Sequence, residues 1–319
     1  MRIDVHAHYF PEAYLDTLTR LGHPGARPAA ARAPGHGMSL PQRAELLAEH
    51  GIDCQVLSVA SPGPYLPRPA DATTAARLAN DLYAEACQQF GGRFAAFGTV
   101  PLPHTDAAIA EAMRCLDELG FLGITVGCSV AGRQLDDPAF EPFFAALDAR
   151  AAVLFLHPQG VGGCPGSEGF GLNWMVGAPF EDTLAALRLV FSGLTSRYPR
   201  LRVIVPHLGG TLPFLLQRLD DQATRMRQTG EATYHMEGLP SEHLRRFWYD
   251  TVNSTPAALR CTCAVFGADR VLLGTDFPYL AGAAFARAVR YVAEAGLSAE
   301  ETAAIYGGTA QRLLGLAPR

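Results

Sequence analysis

Apolar runs of about five residues alternate with longer stretches of helical period from one end of this chain to the other. The short runs predict strands over residues 2–6, 54–59, 94–99, 122–126, 153–157, 202–207, 247–251 and 271–275. Between and after them, apolar positions recur every three or four residues over 41–50, 72–90, 106–119, 138–149, 181–192, 213–226, 256–265 and 283–295. One or two further helices are expected over 298–316. Asp71 ahead of Ala72, Asp137-Pro138 and Thr255-Pro256 read as helix starts. Eight strand-then-helix units of this size predict a (β/α)8 TIM-like barrel, with residues 1–319 as one domain and extra helices at the C-terminal end. The competing architecture is an open doubly wound sheet, but no glycine-rich dinucleotide turn follows the first strand.

One segment breaks the rhythm. Residues 21–39 are rich in Gly, Pro, Ala and Arg, carry His23 and His36, and show no period. They fall between strand one and its helix, on the face where barrels keep their active sites, so they read as an insertion: a lid or a loose loop. The glycine-rich residues 160–171 follow strand five and reach the same mouth.

Composition narrows the chemistry. The net charge is -5, and all 26 basic residues are Arg, because the 319-residue chain contains no Lys. A Schiff-base lysine, a lysine-ended phosphate loop and a carbamylated lysine bridging two metals are therefore excluded. A mildly acidic chain without a basic patch does not suit nucleic acid. The seven Cys (Cys54, Cys87, Cys115, Cys128, Cys164, Cys261 and Cys263) form no disulfide framework, and most sit in apolar stretches, which suits small buried thiols in a reducing, cytoplasmic setting. Cys261 and Cys263 share a predicted helix and read as packing. There is no secretory pattern at the N-terminus and no apolar run of about 18 residues, so neither export nor a membrane span is expected.

The histidines carry the strongest signal. His6 and His8 end strand one, His157 ends strand five, His207 ends strand six, and Asp276 follows strand eight within Gly274-Thr275-Asp276. C-terminal strand ends of a barrel converge on one mouth, and a period of two puts His6 and His8 on one side. Imidazoles and a carboxylate with room for water predict a catalytic zinc-like site, to which all five are eligible ligands. His50 reads as a helix C-terminal residue, and His104, His235 and His243 as loop or exposed positions without a role.

These residues also carry a resemblance. His6-x-His8, His157-Pro158, His207-x-Gly209-Gly210 and Gly274-Thr275-Asp276 are similar to the amidohydrolase superfamily. Arg2 to His6, Trp174-x-x-Gly177-x-Pro179, Pro213-Phe214 and the His207-to-Arg218 spacing resemble its metal-dependent decarboxylase branch, typified by 2-amino-3-carboxymuconate-6-semialdehyde decarboxylase. The resemblance implies one divalent metal, zinc first and manganese second, on His6, His8, His157 and Asp276, with His207 beside it. Where binuclear relatives place a bridging lysine, this chain has Thr125-Val126-Gly127-Cys128, which implies a single ion. The resemblance also implies a homodimer in which Arg218 reaches the neighbouring subunit's site and grips a substrate carboxylate. The branch's inserted strand with its own carboxylate-binding arginine has no counterpart pattern here, only Ala26-Arg27-Pro28-Ala29-Ala30-Ala31-Arg32, with Arg43 farther on.

Such a site suits two reactions. A mononuclear metal brings its water towards pKa ~7, and a neutral His takes or returns the proton. The first expectation is a decarboxylase of a small unsaturated or aromatic carboxylic acid, with His207 and Asp276 as catalytic groups. In it Trp174 is a flat wall, Tyr279 lines the cavity and Arg218 binds the acid. The alternatives are a hydrolase of a lactone or ester, a hydratase of an unsaturated dicarboxylate, and a binding protein with a structural metal.

Overall fold

The structure is a computed structural model that describes residues 1–23, 25–59, 61–160 and 166–317. Cys164 and part of the glycine-rich 160–171 stretch lie outside the described residues. Eight parallel strands form one sheet: β1 (Ile3–His8), β2 (Cys54–Ser58), β3 (Phe94–Thr99), β4 (Gly123–Gly127), β5 (Val153–His157), β6 (Arg202–Val205), β7 (Trp248–Asp250) and β8 (Val271–Leu272). Each pairs with its predecessor in sequence, as successive crossovers in a barrel require. The ends meet as well. Val5 N–H donates to Leu273 O at 2.9 Å, His8 N–H to Phe277 O at 2.6 Å, and Ala7 bridges Phe277. The chain therefore closes as the expected (β/α)8 barrel.

Two apolar layers follow from the strand alternation. Val5, Val56, Phe97, Phe155, Ile204 and Leu272 fill the barrel interior, plugged from below by Ala310 and Leu313. Leu57, Ala96, Ile124, Leu154, Val203 and Leu273 face the surrounding helices. β1 has an irregular register: Asp4 pairs with Gln55 but Ala7 with Leu57, which inserts one extra residue. That bulge changes the strand's parity. Ile3 and Val5 point inward before it, and His6 and His8 point to the centre after it, instead of outward as unbroken alternation from Val5 dictates.

The helices are α1 (Glu12–Arg20), α2 (Ala26–Ala31), α3 (Leu40–Glu49), α4 (Pro69–Gln89), α5 (Thr105–Met113), α6 (Glu141–Ala149), α7 (Ala178–Phe191), α8 (Leu194–Arg197), α9 (Leu212–Thr229), α10 (Pro240–Leu244), α11 (Pro256–Phe266), α12 (Ala283–Arg290), α13 (Ala299–Ala303) and α14 (Thr309–Leu314). Ser39 and Ser298 start α3 and α13 with capping boxes to Gln42 and Glu301. Asp71 is not the start of α4, which begins at Pro69; it lies in the first turn and pairs with Arg68 at 2.6 Å.

Other departures are local. The 21–39 insertion contains the short helix α2, and α1 precedes it, so strand one is followed by three helices rather than one. A two-residue-per-arm hairpin, Ser129–Val130 with Arg133–Gln134, follows β4. α12 stops at Arg290, short of the expected 295. His243 is buried rather than exposed, bonded to Thr195 Oγ1 at 2.9 Å and Glu237 O at 2.6 Å. No helix among the described residues is long and apolar enough to cross a membrane.

One buried polar network holds β1 in place. Asp4, fully buried, accepts from Thr275 Oγ1 and Gln55 Nε2, both at 2.6 Å, and from the Thr275 N–H at 3.0 Å. Gln55 Oε1 in turn accepts from Arg43 Nε at 2.5 Å, and Arg43 Nη1 donates to His8 O at 2.7 Å. Gln55→Leu keeps the volume but strips a donor from Asp4 and an acceptor from Arg43. It is expected to lower stability by about 3 kcal/mol, because bonds to buried charged groups are worth roughly 1.5–3 kcal/mol each. Urea unfolding with an unchanged m-value measures this loss.

Candidate metal centre and active site

Three imidazoles and one carboxylate meet at the C-terminal mouth. One ligand atom each from His6, His8, His157 and Asp276 lies within 4.8 Å of all the others. His6 Nε2 is 3.1 Å from His8 Nε2, and Asp276 Oδ1 is 3.4 and 3.2 Å from those two nitrogens. Asp276 reaches this point from a left-handed backbone, φ 58°. An aspartate adopts that conformation more readily than most residues.

The remaining ring nitrogens settle the tautomers. His6 Nδ1 donates to Asp250 Oδ2 at 2.6 Å, and His157 Nδ1 to Pro158 O at 2.8 Å. Ser58 Oγ donates to Ala7 O at 3.2 Å, so it accepts from His8 Nδ1 at 3.0 Å. Every Nδ1 therefore carries the proton, and three Nε2 lone pairs face one carboxylate oxygen. His157 Nε2 and Asp276 Oδ1 are buried without a hydrogen-bond partner. Lone pairs gathered this closely repel unless a cation lies among them. Metal–ligand bonds of about 2.0–2.2 Å give ligand–ligand edges of roughly 3–3.6 Å, the range in which the His6, His8 and Asp276 atoms lie, with the His157 atom within 4.8 Å of each. The donor set fits a single divalent ion.

The ionisation of the group agrees. Burial pushes His8 down to about 4 and, helped by the neighbouring imidazoles, holds His157 well below its usual range. Burial alone raises the Asp276 carboxyl, but His6 and His8 outweigh it and hold it well below the usual carboxylate range. His6 is the exception. Burial disfavours its charge, yet Asp250 and Asp276 bring its pKa up to about 10. The space between those two carboxylates calls for positive charge, which a divalent ion supplies as well as a proton does.

His207 stands next to this group and outside it, its ring centroid 5.3 Å from His6 and 6.1 Å from His157. Its Nδ1 donates to Asp182 Oδ2 at 2.7 Å, and its backbone N–H donates to Asp250 Oδ1 at 3.0 Å. Burial opposes a charged His207, but Asp182 overcomes it and raises the pKa. The turn is tight: His207 and Leu208 are both left-handed at φ 55°, and a Cβ at Gly210 collides with Pro179 O of α7. Cys128 does not join the metal group. Its Sγ donates to Asp182 Oδ1 at 3.3 Å, which turns the thiol away from the His6–His8–His157–Asp276 group, and burial with Asp182 raises its pKa.

A cavity of about 690 Å³ opens beside the centre, lined among others by Arg32, Tyr65, Cys128, Gln159, Trp174 and Glu181. Trp174 is one wall, as expected, and the Arg32 guanidinium sits 5.8 Å over its ring. Gly25, Pro28, Ala29 and Arg32 come from the 21–39 insertion, which therefore covers part of the mouth. Tyr279 does not line this cavity; it packs on His8 and Phe10, and its hydroxyl donates to Ser61 O at 3.1 Å. Arg218 lies exposed on α9, away from this chain's own cavity. Asp250, Asp182 and Ser58 were not singled out in the sequence, although Asp250 ends β7 as His157 ends β5.

A closed (β/α)8 barrel with His-x-His on its first strand, histidines after the fifth and sixth and an aspartate after the eighth defines a metal-dependent enzyme of the amidohydrolase type. Residues 3–316 match the family described as Amidohydrolase, and the chain belongs to it. It is 32% identical to 2-amino-3-carboxymuconate-6-semialdehyde decarboxylase from Dictyostelium discoideum, over 86% of this chain and 76% of that one. The crystal structure of 5-carboxyvanillate decarboxylase from Sphingomonas paucimobilis superposes with a TM-score of 0.89 at 27% identity, covering 99% of both chains. A dihydroxybenzoic acid decarboxylase from Polaromonas, solved with bound manganese and 2-nitroresorcinol, superposes at 0.85 with 26% identity, covering 100% of this chain and 98% of that one.

Purified protein is expected to hold one divalent ion per chain by elemental analysis, and His157→Ala or Asp276→Ala to abolish it. Asp250→Asn keeps all four ligands but loosens His6, so its metal affinity should fall about 10–100-fold in a chelator competition.

Proposed function

We propose that this chain is a metal-dependent decarboxylase of a small aromatic or unsaturated carboxylic acid. The observation that carries the reading is the metal-ready group next to a carboxylate-held His207, with a Trp174-walled cavity adjoining through Cys128, which bonds Asp182, and Gln159, two residues after His157. The decarboxylase relatives support it. A divalent ion on His6, His8, His157 and Asp276 would supply concentrated positive charge that orients and polarises an acid substrate. Zinc is the first expectation, and manganese has the precedent of the Polaromonas relative.

The protein's own groups divide the remaining work. Decarboxylation replaces a carboxylate by hydrogen. The carbon–carbon bond breaks, its electron pair remains with the substrate, carbon dioxide leaves and one proton is placed on that carbon. His207, charged with the help of Asp182, is the proton donor. Trp174 stacks on the conjugated part of the substrate, and Tyr279 fixes the His8 ring from behind. Arg32 makes no ion pair among the described residues and stands at the cavity, free to meet a polar substituent.

Arg218 finds its use in a homodimer. Phe180 and Leu184 on α7, Met175 and Val176 just before it, and Phe214 at the start of α9 are exposed large apolar side chains. Thr183 in the second turn of α7 and Thr211 just ahead of α9, bonded at 3.1 Å, hold the two helices together, which brings these residues towards one patch. Arg218 is one turn beyond Phe214 on the same side of α9. A patch of this kind suits a second copy of the chain, which would bring Arg218 to the partner's cavity. The uncrosslinked Cys54, Cys115, Cys128 and Cys263 support work in a reducing compartment such as the cytoplasm.

Carbon dioxide release from hydroxybenzoates and aminocarboxymuconate semialdehyde tests the assignment. Turnover of at least one acid is expected; silence across the panel, with hydrolysis of lactones or esters by the same metal-loaded protein, would turn the reading to the hydrolase. Phe214→Glu should yield monomers by light scattering. Arg218→Ala should raise KM for the acid about tenfold or more, the value of a lost charged hydrogen bond.

A further inference from the structure

Asp182 is a fully buried carboxylate on the second turn of α7, a helix that packs through Ala185, Ala186, Leu189 and Val190. No arginine among the described residues pairs with it. Among the described residues its two oxygens have one partner each: His207 Nδ1 at 2.7 Å and the Cys128 thiol at 3.3 Å. Burying a carboxylate without a permanent counter-ion is costly, and nothing in the packing of α7 asks for one. Its position makes sense through His207. That residue sits in a left-handed turn, where neither helix nor strand geometry dictates the ring's direction. Its backbone is fixed by Asp250, and among the described residues the hydrogen bond that orients its ring goes to Asp182. The same Asp250 that holds His6 thus sets where the His207 main chain lies, while Asp182 sets which nitrogen faces the metal group.

We propose that Asp182 is the positioning residue of this active site. It locks His207 as the Nδ1–H tautomer, leaving Nε2 to carry the transferred proton, and the Cys128 thiol holds the Asp182 carboxylate in the required rotamer. The arrangement follows the general logic of a carboxylate-oriented histidine, in which a wrong tautomer disables a ring that is still in place. The thiol suits the task because burial keeps it a donor, and because it is small enough to sit at the cavity wall.

The inference rests on the proposed role of His207, and the test separates the two. In the zinc-loaded protein at mildly alkaline pH, nitrogen-15 correlation spectra of the histidines report tautomers without any substrate. The wild type is expected to show His207 as Nδ1–H, and Asp182→Asn to lose that state. With an acid that the wild type decarboxylates, Asp182→Asn should lower kcat by about 10²-fold or more, the usual worth of a general acid–base group. KM should stay within about threefold, with metal content and melting temperature unchanged. Cys128→Ser keeps a donor and should retain most of kcat, whereas Cys128→Ala should lose about a factor of five to ten, as expected when a carboxylate loses one weak thiol donor. A wild-type His207 found as Nε2–H overturns the proposal. So does an Asp182→Asn kcat within threefold of wild type, or a loss of kcat that tracks a loss of metal. Equal activity in both Cys128 variants removes the thiol from it. A wild type inert towards every acid, with His207 as Nδ1–H, overturns the decarboxylase reading and leaves the positioning role standing.

Discussion

A buried imidazole offers its lone pair in a fixed direction only when its other nitrogen is already engaged. That constraint runs through the whole mouth of this barrel. Asp250, Ser58, Pro158 and Asp182 each take the Nδ1 proton of one histidine, from three different strands' ends and one helix. The rest of the site depends on it. Without those acceptors the three Nε2 atoms have no reason to face one another, and the Asp276 oxygen loses its place among them. The acceptors are in turn held by the barrel: Asp250 by the Val252 and His207 amides, Ser58 by its bond to Ala7 O.

The backbone is bent to serve the same end. The extra residue in β1 turns His6 and His8 inward, and left-handed φ at His207, Leu208 and Asp276 places side chains that regular strands cannot place. Strain of this sort persists only where the surroundings over-determine it. Here the surroundings are the Asp4–Gln55–Arg43 network and the closure of β1 against the chain after β8. Function and stability therefore meet on the same short stretch.

The barrel and the meeting of His6, His8, His157 and Asp276 at one mouth were legible in the sequence because both are periodic facts, although periodicity offered His207 as well and the choice among the five came from the resemblance. Eight apolar runs spaced by helical patterns leave one architecture, and histidines at strand ends leave one mouth. The acceptors behind them were not legible. Asp182 on α7 reads as an ordinary helix aspartate, and its partner His207 lies 25 positions on; Asp250 is 244 positions from His6. Such pairings depend on the closed ring, not on local pattern. α2 went unread because Ala26–Ala31 has no polar face to set a period, and its neighbours are the glycines and prolines of a loop. The β1 bulge also left no mark, since Val5-His6-Ala7-His8 alternates well enough on paper.

The closure between the first strand and the residues after the last has a temporal side. Asp4 and Thr275 are 271 positions apart, and the metal group spans nearly the same distance, from His6 to Asp276. A ribosome has made most of this chain before the site can be complete. Until then His6 and His8 lack His157 and Asp276 beside them. A divalent ion on these four residues would have its full set of ligands only once the ring is complete, so it would join the folded barrel rather than the growing chain.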